Sequence, residues 1–198
     1  MSEMDLMGQE NKNQGICSFT SMMYALYNQC PSLQTRLSKA LCCDAPTRLS
    51  AEIKTFLRIM EANGNKDVLN SIENFTNTFG TQYLFWSEGS YITTINDSIN
   101  PDGSVKKINY SIAMPPDALM VYIAEMWNGS PRIIYGDTSC PVGTIIGLGD
   151  ASGLKHYVYK GLDGIIYSWG GRFDSIDKLQ CKLDVQFYIH PGIQQGLF

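Results

Sequence analysis

The stretch NKNQGICSFTSMMYALY, residues 11–27, decides how this chain is read. A polar, glycine-containing loop runs into Cys17, and from there Phe19, Met22, Met23, Leu26 and Tyr27 recur at helical spacing until Cys30 and Pro31 end the run. The cysteine therefore opens a helix. At a helix N-terminus, unpaired backbone N–H groups and the positive end of the dipole favour an anion, so a thiolate is stabilised and its pKa falls. Gly15, two residues earlier, lets a backbone or a substrate approach closely. The plainer alternative is a small buried residue on an amphipathic helix, which is what most single cysteines are.

Working outward, the pattern from 31 to 80 stays helical. Leu33, Leu37 and Leu41 fall four apart, and Leu49, Ile53, Phe56, Leu57 and Met60 form a cleaner stripe that Asn63 and Gly64 close. A further helical segment carries Val68, Leu69, Ile72, Phe75 and Phe79 and stops at Gly80. Residues 81–100 carry aromatic and β-branched residues without an assignable period. Ile108, Tyr110, Ile112 and Met114 alternate as a strand does. Pro115, Pro116 and Asp117 then start a helix with Leu119, Met120, Ile123, Met126 and Trp127, ended by Asn128 and Gly129. Strands are expected over 131–135, 144–148, 156–160, 164–169 and 183–189, with a tight hairpin turn at Leu162, Asp163 and Gly164 between the two central ones. Helices first and an antiparallel sheet afterwards make an α+β domain.

At 198 residues and 44% hydrophobic, the chain suffices for one well-buried domain over 1–198, with 1–10 a loose N-terminal segment. The net charge is −4, and the lysines and arginines are scattered, which argues against a nucleic-acid partner. Acidic residues lie where a secretory signal needs a basic flank, and no apolar run approaches the roughly 20 residues of a membrane span. A soluble protein follows, cytoplasmic or exported into a target cell by a specialised secretion system. Four glycosylation sequons, beginning at Asn74, Asn96, Asn109 and Asn128, are read as chance in the absence of a signal. The six cysteines, Cys17, Cys30, Cys42, Cys43, Cys140 and Cys181, are read as free thiols. Without a Cys-x-x-Cys pair, and with two histidines in all, neither a metal site nor a cofactor is expected.

A nucleophilic Cys17 needs a base, and the chain offers His156 and His190. His156 begins a strand after the small polar loop 149–153, where its ring can face a cleft, whereas His190 precedes Pro191 at the end of the last strand. A neutral imidazole near the thiol takes its proton, and a hydrogen-bond partner on the other ring nitrogen orients it. Counting back through the Asp163–Gly164 turn, the residue returning nearest to His156 is Ser168. An ordinary core or surface histidine is the competing reading.

Together these features resemble the papain-like cysteine peptidase superfamily: an early cysteine opening a helix, a helical lobe, and a late His-aromatic-Val strand followed by an Asp-Gly hairpin. The loop 12–17 is similar to the Asn-Gln-Gly stretch ahead of the nucleophile in papain, and Tyr167, Ser168, Trp169 and Gly170 to its Asn-Ser-Trp-Gly. Compact bacterial cysteine protease effectors and bacteriocin-processing peptidase domains are closer in size and spacing. The resemblance implies a helical lobe packed on a C-terminal antiparallel sheet, with Cys17 and His156 as the catalytic pair. It implies an oxyanion side chain near Asn11 or Gln14, and an orienting group at Tyr167 or Ser168, where the family carries Asn or Asp. Asp174, six residues beyond Ser168, is the alternative orienting residue.

The expected function is a thiol hydrolase cleaving a peptide or isopeptide bond in a protein or peptide substrate, with a bacterial effector or toxin acting on a host protein as one setting. The same chemistry directed at a side-chain amide gives a glutamine deamidase or transglutaminase, and directed at cell-wall peptide an amidase. A catalytically inactive papain-like binding module is the alternative from another class.

Overall fold

The computed structural model describes residues 15–30, 45–79, 100–101 and 110–193. Among these, four α-helices precede six strands: α1 (Cys17–Gln29), α2 (Ala45–Ala62), α3 (Lys66–Asn77), α4 (Pro116–Trp127), β1 (Arg132–Tyr135), β2 (Thr144–Asp150), β3 (Gly153–Lys160), β4 (Ile166–Ser168), β5 (Gly171–Phe173) and β6 (Asp184–His190). The architecture is α+β. Every strand pairing is antiparallel, and the spatial order is β1-β6-β2-β3-β4-β5.

α1 is buried from Cys17 through Leu26, including Ser18, Thr20 and Ser21. The apolar spacing implies one buried stripe; α1 is instead the central helix, packed against α2 and against β2, β3 and β4. Its small hydroxyl residues allow that close packing. Thr20 resolves its own polarity by donating from Oγ1 to the Cys17 carbonyl at 3.1 Å. The α2 stripe is as expected: Leu49, Ile53, Phe56, Leu57 and Met60 are all buried. Asn63 and Gly64, the latter at φ +70°, end the helix, and α4 runs from Pro116 to a left-handed Asn128 at φ +48°.

The two faces of the sheet serve different cores. Ile145, Tyr157, Tyr159, Tyr167, Phe187 and Ile189 join the helices in the larger cluster, on what is here termed the inner face. Ile146, Leu148, Val158, Ile166 and Tyr188 form the second cluster with Cys140 and Leu179 on the outer face, covered by the segment that holds the 3-10 turn Ile176–Lys178. Alternation along each strand assigns these faces, except where a register irregularity lies between Leu154 and Val158 in β3 and between Val185 and Phe187 in β6.

Two expectations are corrected here. Residues 110–114 are not a strand: Tyr110, Ser111, Ile112, Ala113 and Met114 are all buried, and the segment lies against the helical lobe outside the sheet. Side chains satisfy its backbone, since Thr76 Oγ1 accepts from Ala113 N at 3.0 Å and lies 3.2 Å from Ala113 O, to which it can donate. The loop 149–153 is the tip of the β2–β3 hairpin, with Asp150 paired to Gly153. The leucines 33, 37 and 41, the unassigned residues 81–99 and Ile108 lie outside the described residues.

Thr76→Val keeps the shape and removes both bonds from a fully buried site. The expected loss is about 2 kcal/mol or more, read as a lower urea midpoint at unchanged slope. An unchanged midpoint would show that the segment's backbone is satisfied some other way.

Candidate active site

His156 lies inside β3, and not at its start, because the strand begins at Gly153. It is 6% exposed and pairs across the sheet with Leu148 on the outer face. Its Nε2 is 2.7 Å from Ser168 Oγ, the last residue of β4, so the partner found by counting through the hairpin is the one observed. Trp169 follows at φ +49° and Gly170 at φ +73°, a two-residue turn that pairs Ser168 with Gly171. A left-handed tryptophan is strained, since its Cβ crowds the neighbouring carbonyl. Here its indole stacks on the imidazole, centroids 4.2 Å apart and planes 13° apart. Burial between these groups pushes the His156 pKa down to about 3, so the ring is neutral at pH 7.

Cys17 opens α1 as expected, but burial works against its thiolate. Three backbone N–H groups, those of Tyr157, Ser18 and Cys17 itself, favour the thiolate; burial outweighs them and pushes the pKa up to about 11. The expected downward shift is thus reversed, because a dipole lowers a thiol pKa appreciably only where solvent or a cation also helps the anion. The Tyr157 N–H is available because β3 pairs with β4 only at Tyr159 and Lys160. Beside Cys17, the buried hydroxyl of Ser18 has no hydrogen-bond partner among the described residues.

Cys17 and His156 consequently meet the same strand at adjacent residues but on opposite faces. Tyr157 and Cys17 belong to the inner cluster; His156 faces outward with Leu148, Ser168 and Trp169. The structure brings Ser168 to His156 and Cys17 to Tyr157, and it does not bring the sulfur to the imidazole. Asp174, the alternative orienting residue, is exposed and is not hydrogen-bonded to His156; it lines an outer cleft of about 640 Å³ with Lys160, Asp177 and Asp184. Asn11 and Gln14 lie outside the described residues. His190 ends β6, edge-on to Tyr188 at 5.4 Å.

Cys30 and Cys140 are buried free thiols and Cys181 is a half-buried one, while Cys42 and Cys43 lie outside the described residues. Among the described residues no group of three or more His, Cys, Asp or Glu side chains is placed to hold a metal ion, and no helix is long and apolar enough to cross a membrane. Sequence reading missed Trp169 as the cover of the imidazole and Tyr157 as the residue that meets the thiol. Gly170, directly after a short strand, is turn punctuation that points to the first of these.

Compared with family models, curated proteins and solved structures, the chain matches none.

Proposed function

We propose that this chain is a cysteine-dependent hydrolase of papain-like organisation that cleaves a peptide or isopeptide bond in a protein substrate, with Cys17 as nucleophile and His156 as its base. The observation that carries the reading is the contact of the Cys17 thiol with the backbone N–H of Tyr157, the residue immediately after His156. A helix-opening thiol and a histidine are thereby delivered to neighbouring positions of one strand from sites far apart in sequence. In the working arrangement the imidazole takes the thiol proton, and the thiolate attacks the acyl carbon. The imidazolium returns the proton to the leaving amine, and water releases the acyl group from sulfur. The Cys17 N–H at the helix start is a donor for the oxyanion.

The test is cleavage of a mixed, denatured protein substrate, read by mass spectrometry for the native chain and for Cys17→Ala. The native chain is expected to produce new termini, and the variant none. A gain of about one mass unit without a cut would redirect the same site to side-chain deamidation, and release of peptide from cell-wall material would make it an amidase. Equal cleavage by Cys17→Ala would end the proposal.

A second reading, a non-catalytic binding module, is favoured by a different observation. Cys17 and His156 occupy opposite sheet faces, and burial opposes the charged form of each. It predicts no product in any of these assays.

A further inference from the structure

Gly149 pairs with Leu154 and Leu148 with His156, which leaves Lys155 as an extra residue in β3, a β-bulge. In a bulge two residues of one strand oppose one of its partner; Leu154 packs on the inner cluster and the Lys155 ammonium lies over the Phe79 ring, 5.7 Å from its centroid, so these two share Gly149 while His156 opposes Leu148 on the outer face. Moving the irregularity one residue along would pair Leu148 with Lys155 and make His156 the extra residue. His156 and Tyr157 would then share Gly147. That position belongs to the inner face, because Tyr157 is in the cluster that contains Cys17. All other pairs, from Thr144–Lys160 to Gly147–Tyr157 and from Gly149–Leu154 to Asp150–Gly153, stay as they are.

The neighbourhood suits such a move. β2 is glycine-rich here, with Gly147 and Gly149 on either side of Leu148, and glycine-rich strands specify register weakly. A second irregularity separates Gly147 and Leu148 on the β6 side. Gly147 has no side chain for the incoming ring to displace, although the Phe187 ring fills the space that a Cβ would take. Opposing the move are the bond of His156 to Ser168, the stack under the strained Trp169, and the contact of the Lys155 ammonium with the Phe79 ring, which is given up when Lys155 pairs with Leu148.

Resting on the hydrolase reading, we infer that the bulge at Lys155 is a conformational switch: it parks His156 on the outer face, and its one-residue migration delivers the imidazole to Cys17. Ser168 and Trp169 are then restraints of the resting arrangement, not parts of the working one.

The experiment is the rate of Cys17 alkylation by iodoacetamide at pH 7, followed by peptide mass spectrometry. The proteins compared are the native chain, His156→Ala, Ser168→Ala, and Ser168→Ala combined with His156→Ala, each checked for native circular dichroism. The switch predicts a slow native rate, because the imidazole is held away from the thiol. It predicts a rise of tenfold or more in Ser168→Ala and return to the slow rate in the double variant. Trp169→Leu, which removes the other restraint by a different change, must also accelerate alkylation in a His156-dependent way. A rise that persists without His156 is mere loosening and overturns the switch, as does the absence of any rise. If the native rate already depends on His156 and Ser168→Ala slows it, the switch falls while the hydrolase reading stands. If no variant shows dependence on His156, both fall.

Discussion

Acidification from pH 6.5 to pH 4 should destabilise the fold by about 3 kcal/mol through His156 alone, at about 1.4 kcal/mol for each pH unit between the unfolded and folded pKa values. The folded imidazole has its pKa pushed from 6.5 to about 3 by burial, with no charged neighbour among the described residues to offset it. An unfolded chain therefore binds a proton that the folded one refuses across this window. The contribution is fully present above pH 6.5 and is lost progressively as the pH falls toward 3. Carboxylates add their own acid dependence, so the measurement is a comparison. Urea unfolding of the native chain and of His156→Gln from pH 7 to pH 4 should give stability curves whose separation changes by roughly this amount. Parallel curves would mean that water reaches the ring.

Phe19→Ala should cost about 3–5 kcal/mol, the range for truncating a buried aromatic ring. Phe19 is fully buried where α1, α2 and α4 meet, with its ring 4.9 Å from Tyr122 and 6.2 Å from Phe56 in edge-on geometry. Phe56 and Tyr122 also contact one another at 5.1 Å. The cavity cannot close easily, because Tyr122 is tethered: its hydroxyl donates to Glu52 Oε1 at 2.6 Å, and Trp127 Nε1 donates to the same oxygen at 2.9 Å. Burial raises the Glu52 pKa, and these two donors resist that rise. Tyr135, 63% exposed on β1, is the control, and its alanine variant should change stability by about 0.5 kcal/mol or less. Equal effects at the two positions would contradict the packing described.

The sequence made legible whatever depends on local period. The α2 stripe, the proline start and left-handed end of α4, and the places of β1, β2, β4 and β6 follow from spacing and punctuation, whereas β3 begins three residues before its expected start and the short strand β5 lies outside the expected strands. The Ser168 partner of His156 follows as well, because one tight turn fixes the count between them. Where the reading failed, distant neighbours decide. Tyr110, Ile112 and Met114 alternate with Ser111 and Ala113, yet a small residue can pack inward as well as outward, and Thr76 supplies the bonds that a neighbouring strand would have made. The Cys17 pKa depends on what covers the thiol, and the helix-start position carries no information about that. Period-two alternation shows that His156 and Tyr157 face opposite ways. It does not show which of them faces a helix laid down more than a hundred residues earlier, and a bulge such as that at Lys155 leaves no mark in composition.

The strand order has a consequence for assembly. β2, β3, β4 and β5 pair in chain order and can zip as successive hairpins, each closing a short loop. β1, although synthesised before all of them, pairs with β6, joining Arg132 to His190 and Tyr135 to Phe187. On a ribosome β1 therefore emerges first and waits longest, while β6 arrives last and inserts between two strands already made. Closure of the sheet is its contact of greatest sequence separation, and such contacts slow folding because loop entropy is lost before they form. Until β6 inserts, the flanks of β1 and β2 remain open strand edges, the surfaces most prone to pairing with another chain.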